Sequence, residues 1–190
     1  LKLLAIQSSS SSLIANHFDA SDNMTDTLGA LKAAQTCSLS LFDELMTKFE
    51  HQWRNDALVM DKWFGLQATC DREDILAQIQ LVSGHPMFTG ENPNRVRALI
   101  GSFAFHNTSG FHHPSGSGYK FVADYLMKLD KTNPQVAARI VTPLTQWQRF
   151  APEFQTLMKQ QLTRLSEIPG LSKDVYEKVS KSLSYEHKSE

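Results

Sequence analysis

A helical apolar period runs along almost the whole chain and limits the fold more than any other feature. In 154–168, Phe154, Leu157, Met158, Leu162, Leu165 and Ile168 follow an i, i+3, i+4 spacing, which places them on one face of a helix. Tyr119, Val122, Leu126 and Leu129 do the same in 118–130, and Ile75, Leu76, Ile79 and Val82 in 72–82. No window shows sustained alternation bounded by hairpin turns, so strands are not expected.

Helix boundaries are written in the capping residues. Asn92-Pro93 and Asn133-Pro134 each read as an N-cap followed by proline at the first helical position. The Asn oxygen can accept from an orphan backbone N–H, and proline lacks only an N–H that had no intrahelical partner. Thr142-Pro143 predicts a break or a new helix rather than one helix through 133–150. Pro152 opens the following helix, Pro169-Gly170 closes it, and Ser172 caps the last. The reading is about ten helices, near 1–17, 24–37, 39–52, 55–69, 72–82, 93–104, 117–130, 134–141, 143–150 with 152–167, and 173–183.

Short links make sequential neighbours antiparallel. The expected fold is therefore all-α, an irregular α-α superhelix or solenoid-like array without an internal repeat of fixed period. Residues 106–116, rich in Gly, Ser and Asn, read as a loop in which His112-His113 is exposed. The serine run Ser8 to Ser12 weakens the first helix, and 185–190 reads as a frayed tail beyond a domain at 1–184.

A chain of 190 residues, 41% hydrophobic, can bury one sizeable core. The formal net charge of -1, with no basic stripe, argues against nucleic acid as a partner. No apolar run approaches the roughly 18–20 residues of a membrane span. The chain begins Leu1-Lys2 without Met, and residue 1 is read as a cut point in a longer polypeptide. Cys37 and Cys70, without a CxxC partner, read as reduced, packed thiols of a cytoplasmic protein.

Catalytic constellations are missing. The chain contains no H-E-x-x-H, no G-x-S-x-G, no phosphate loop and no EF-hand loop, and its seven histidines are scattered apart from His112-His113. Asp43-Glu44 and Glu73-Asp74 sit near helix starts, where the dipole explains them. Val96, Leu99, Ile100 and Phe103 form a buried stripe, and at about 100° per residue Arg95 and Arg97 flank it on opposite sides. Arg139 likewise borders the stripe of Val136 and Ile140. Residue chemistry alone stops at a helical domain with no active site of its own, and leaves open a free-standing scaffold that binds a protein or peptide.

Several segments carry a family resemblance. They are Asn23-Met24-Thr25-Asp26, Leu58-Val59-Met60-Asp61-Lys62-Trp63-Phe64-Gly65-Leu66-Gln67-Ala68, Asn92-Pro93-Asn94-Arg95-Val96-Arg97-Ala98-Leu99-Ile100-Gly101, Gly116-Ser117-Gly118-Tyr119, Asn133-Pro134-Gln135-Val136-Ala137-Ala138-Arg139 and Val175-Tyr176-Glu177-Lys178. In this order they resemble the C-terminal helical region of the bacterial-type aminopeptidase N family, the gluzincin zinc aminopeptidases, over roughly 20–184. The serine run, the His112-His113-Pro114 loop and the tail depart from that pattern.

The resemblance implies a β-rich N-terminal domain, a thermolysin-like catalytic domain and a small β-sandwich in the same polypeptide, with the helical domain covering the active-site cavity. It implies zinc in the catalytic domain and none in this chain, and peptides as substrates. By motif match, Arg97, Gln135 and Arg139 would contact the distal part of a bound peptide, while Arg95 would pair with a neighbouring carboxylate. A chain cut from such partners should expose an apolar patch at its N-terminal helices and near Trp63 and Phe64.

Overall fold

The computed structural model describes residues 10–184; the expectations for 1–9 and 185–190 lie outside the described residues. Among the described residues there are helices and turns and no strand. The α-helices are α1 Ser11–Ala20, α2 Met24–Cys37, α3 Leu39–Trp53, α4 Ala57–Ala68, α5 Ile75–Ser83, α6 Pro93–Val96, α7 Ser102–His106, α8 Thr108–Phe111, α9 Ser117–Leu129, α10 Pro134–Ile140, α11 Thr142–Thr145, α12 Pro152–Ser166 and α13 Lys173–Leu183. A π turn, Arg97–Gly101, joins α6 to α7, and a 3₁₀ turn, Trp147–Arg149, follows α11.

The capping chemistry accounts for these boundaries. Asn92 Oδ1 accepts from the backbone N–H groups of Asn94 and Arg95, Asn133 Oδ1 from Val136, and Ser172 Oγ from Val175. Proline stands in the first turn of α6, α10, α11 and α12. The break at Thr142-Pro143 is present, with α10 ending at Ile140 and α11 starting at Thr142. The first helix differs from expectation. Ser11 and Ser12 form its opening residues and it runs on to Ala20, since serine is tolerated at a helix start where backbone donors are free.

Helices α1 to α5 pack against their neighbours in chain order, and α9, α10, α12 and α13 form a second group. The α6–π–α7 segment connects the two, touching α4 on one side and α10 on the other. One continuous apolar core runs from Ile14 to Val179. Where α4 crosses the π segment, a Cβ at Gly65 would make only ordinary contact, 3.6 Å from Ser102 Oγ and 3.7 Å from the Ala98 carbonyl.

Buried polar groups tie the array together. Asp130, at the end of α9, accepts from both the backbone N–H (2.7 Å) and the hydroxyl of Ser172, at the start of α13. Trp147 Nε1 donates to Ser182 Oγ at 3.1 Å, and Ser182 donates to the Thr145 carbonyl at 2.9 Å. Among the described residues, no buried side-chain nitrogen or oxygen lacks a partner.

Two sequence expectations need correction. The stretch 106–116 is not a simple loop, because Asn107 caps the helical turn α8 and binds the end of α4. Trp63 and Phe64 are not exposed either. Trp63 Nε1 donates to the Met46 carbonyl at 2.9 Å, and Phe64 packs on His85 and Phe88. The exposed large apolar side chains are instead Leu13, Leu39, Leu58, Leu81, Phe105 and Tyr176, scattered over several helices.

Candidate binding groove

Arg95 sets the rotation of the helix that carries the candidate site. Its guanidinium is buried, with Nε donating to the Met87 carbonyl at 2.9 Å and a terminal nitrogen to the Ala57 carbonyl at 2.8 Å. The same group pairs with the Asp61 carboxylate and lies 5.6 Å from the centre of the Phe64 ring. Arg95 is therefore a structural ion-pair residue, as the motif implied. With Arg95 fixed inward and Val96, Leu99, Ile100 and Phe103 in the core, Arg97 must face out.

The π turn then carries that outward face along the helix. The Ser102 N–H donates to the Arg97 carbonyl, a bond one residue longer than the α-helical one. Arg97, Gly101 and Phe105 stand at i, i+4 and i+8, in line along one side. Such single π turns inside α-helices recur at functional sites, because the widened ring re-aims side chains without ending the helix.

Helix α10 supplies the opposite wall. Its Val136, Ala137, Ala138 and Ile140 are buried, which turns Arg139 to the surface. Between the walls lies an open groove of about 310 Å³, lined by Arg97, Gly101, Ser102, Phe105, His106, Arg139, Ile140 and Thr142. Arg97 and Arg139 are thus brought to one concavity, although they are far apart in sequence. Gln135 is exposed one turn before Arg139 but does not line the groove.

The groove is electropositive, with two guanidinium groups and no carboxylate among the described residues that line it. Arg97 donates to Asn94 Oδ1 at 3.1 Å, and the Arg139 side chain makes no hydrogen bond or ion pair with another described residue. A guanidinium with no partner among the described residues has its donors open to a carbonyl or carboxylate.

A second polar concavity is explained by its own contacts. It is larger, about 570 Å³, and is lined by Asp71, Arg72, Glu73, Asp74 and His113 among others, but Arg72 holds Asp74 and the Ser109 hydroxyl donates to Asp71. Hydrogen bonding to Arg72 lowers the pKa of the Asp74 carboxyl. His112, expected to be exposed, is half-buried. Its Nδ1 lies 2.7 Å from the Tyr119 hydroxyl and its ring 4.3 Å from that of Phe150. Burial pushes the His112 imidazole below its ordinary value and the Tyr119 hydroxyl up to about 12.

The zinc that the resemblance assigns to the wider polypeptide finds no fitting donors here. Among the described residues no three His, Cys, Asp or Glu side chains converge on a common point. Burial pushes the Cys70 thiol up to about 11, which disfavours the thiolate a metal requires. No hydrolytic step is assigned to these residues.

Phe105 was missed in the sequence reading. Its signal was a large apolar residue off the buried stripe: Phe103 belongs to that stripe, and a position two residues later points elsewhere.

Over residues 1–184 the chain matches the model of the DUF3458_C family, a domain of unknown function described as ARM repeats. The chain belongs to this family. It is 49% identical over 183 residues to aminopeptidase N of Haemophilus influenzae, which covers 96% of this chain and 21% of that protein. To aminopeptidase N of Escherichia coli K12 it is 42% identical over 172 residues, covering 90% of this chain and 20% of that protein. The structure of Legionella pneumophila aminopeptidase A in complex with aspartic acid superposes with a TM-score of 0.87 at 30% identity, covering 93% of this chain and 21% of that one.

The chain thus spans about a fifth of the length of these relatives and is similar to the C-terminal region of aminopeptidase N. The irregular DUF3458_C superhelix also explains why no fixed period was visible. Its helices range from 4 to 15 residues, so the repeats of this family are too unequal here to show in the sequence.

Proposed function

We propose that this chain is the helical domain, over residues 1–184, of a cytoplasmic zinc aminopeptidase that removes N-terminal amino acids from peptides. In this reading the zinc and its chemistry belong to a catalytic domain elsewhere in the same polypeptide. The helical array covers the active-site cavity, packs on the catalytic and β-sandwich domains and limits access to peptides able to enter. Arg97, Gln135 and Arg139 hold the distal part of the peptide. In this reading no residue of this chain takes part in the chemical step itself.

The observation that carries the reading is the convergence of Arg97 and Arg139 on one carboxylate-free groove. Guanidinium groups offer several donors in a fixed fork, suited to peptide carbonyls and to a terminal carboxylate. Gln135, one turn from Arg139 on α10, can add an amide contact to the same peptide backbone. Contacts remote from the reacting bond orient the substrate and limit its motion, so they act on the rate with long peptides and not on single-residue substrates.

The test is kinetic, in the polypeptide that carries this chain. Arg139→Ala should lower kcat/KM for a tetrapeptide by about tenfold or more, the worth of one charge-assisted hydrogen bond. It should leave an alanine anilide within about twofold, since that substrate has no distal part to hold. Equal losses on both substrates would remove the distal-contact role.

A further inference from the structure

We propose that Phe105 makes the groove selective for peptides that end in a free carboxylate borne by an apolar residue. The inference rests on the reading of the groove as a distal peptide site and adds the chemical class of its occupant.

Phe105 is a large aromatic ring left 49% exposed, in the last turn of α7. It lies on the same side as Arg97, two turns further along, with Ile140 on the facing helix. The groove therefore combines the apolar Phe105 ring with two cations. Arg97 is held by Asn94, and the Arg139 side chain makes no hydrogen bond or ion pair with another described residue.

That combination discriminates between occupants. A purely anionic ligand would leave the Phe105 ring in water. A purely apolar segment would desolvate the Arg139 guanidinium without giving it an acceptor, which is costly. An apolar residue with a free carboxylate satisfies both at once. Its side chain covers the Phe105 ring while its carboxylate accepts from the guanidinium fork. The covered apolar area and the charge-assisted bonds come from different groups on the ligand, so they can be removed separately.

The experiment titrates three peptides, Ala-Ala-Phe, Ala-Ala-Gly and Ala-Ala-Phe-amide, into the chain and follows backbone amide shifts by NMR. The free acid Ala-Ala-Phe should bind about tenfold tighter than either of the others, with the largest shifts in 97–106 and 134–142. Phe105→Ser should bring Ala-Ala-Phe down to Ala-Ala-Gly while leaving Ala-Ala-Gly within about twofold, and Phe105→Leu should keep most of the preference. The side chain is half in water, so neither change removes core packing, and unchanged amide dispersion verifies the fold.

If the two free acids bind equally and the amide binds weakly, the selectivity claim is overturned while the distal-site reading stands. If acid and amide behave alike, or no peptide gives saturable shifts in the groove, both are overturned.

Discussion

Asn107 is the side chain whose loss should report most directly on how the groove's wall is held. It is 3% exposed and lies immediately after α7, two residues beyond Phe105. Its amide nitrogen donates to the carbonyls of Ala68 and Cys70, both at 2.9 Å. Its oxygen accepts from the Gly110 N–H at 2.9 Å and caps α8. Asn107→Ala strands two buried carbonyls and one buried N–H in a single step. At the lower end of the roughly 1–3 kcal/mol attached to each orphaned buried group, with carbonyls the more forgiving, the cost is about 3–4 kcal/mol.

A domain of this size is stable by about 5–15 kcal/mol, so the variant should remain folded with a much lower urea midpoint and an unchanged slope. Asn107→Asp separates the contributions. It keeps the acceptor for Gly110, loses both donors and sets a carboxylate against two carbonyls, so it should destabilise at least as much as alanine. A cost below about 1 kcal/mol for Asn107→Ala would refute the reasoning, as would an Asp variant close to the parent protein.

Two further outcomes follow from the same corner of the fold. A Cβ on Gly118 would sit 2.3 Å from the Gly110 carbonyl oxygen and 2.5 Å from that of Phe111, both backbone atoms, so Gly118→Ala should cost roughly 3 kcal/mol or more and lower the thermal midpoint by several degrees. His112 is held neutral by burial in the folded state, with its pKa lowered relative to the unfolded chain. Its contribution to stability is complete above the ordinary imidazole value of about 6.5 and is lost as pH falls below that toward the folded value. Urea midpoints taken from pH 7 down to 5 should therefore decline, and His112→Gln, which can still bond to Tyr119, should flatten part of that slope.

Much of this structure was legible before any coordinates, because its information is local. Asn92, Asn133 and Ser172 cap the helices they were expected to cap, and the prolines at 93, 134, 143 and 152 mark the helix starts. The buried stripe of Val96, Leu99, Ile100 and Phe103 follows from helical period alone, whereas the pairing of Arg95 with a carboxylate came from the resemblance. What escaped depends on contacts made at long range. Asn107 has the composition of a loop residue, and only the approach of Ala68 and Cys70 turns it into a buried cap. The π turn at Arg97–Gly101 is a shift of hydrogen-bond register, imposed where the segment packs between α4 and α10, and leaves no mark in the apolar spacing. His112 reads as a polar loop residue until Tyr119, Phe150 and Phe154 close around it. Arg97 and Arg139 were selected by resemblance; that they share one groove is a tertiary fact.

The most direct measurement of the central claim is photo-cross-linking in the polypeptide that carries this chain, using a peptide with a photoreactive phenylalanine at its C-terminus. The distal-site account predicts adducts concentrated in α7 and α10, around Phe105 and Ile140, and competed away by Ala-Ala-Phe. Adducts that avoid both helices, or that Ala-Ala-Phe fails to displace, would contradict it.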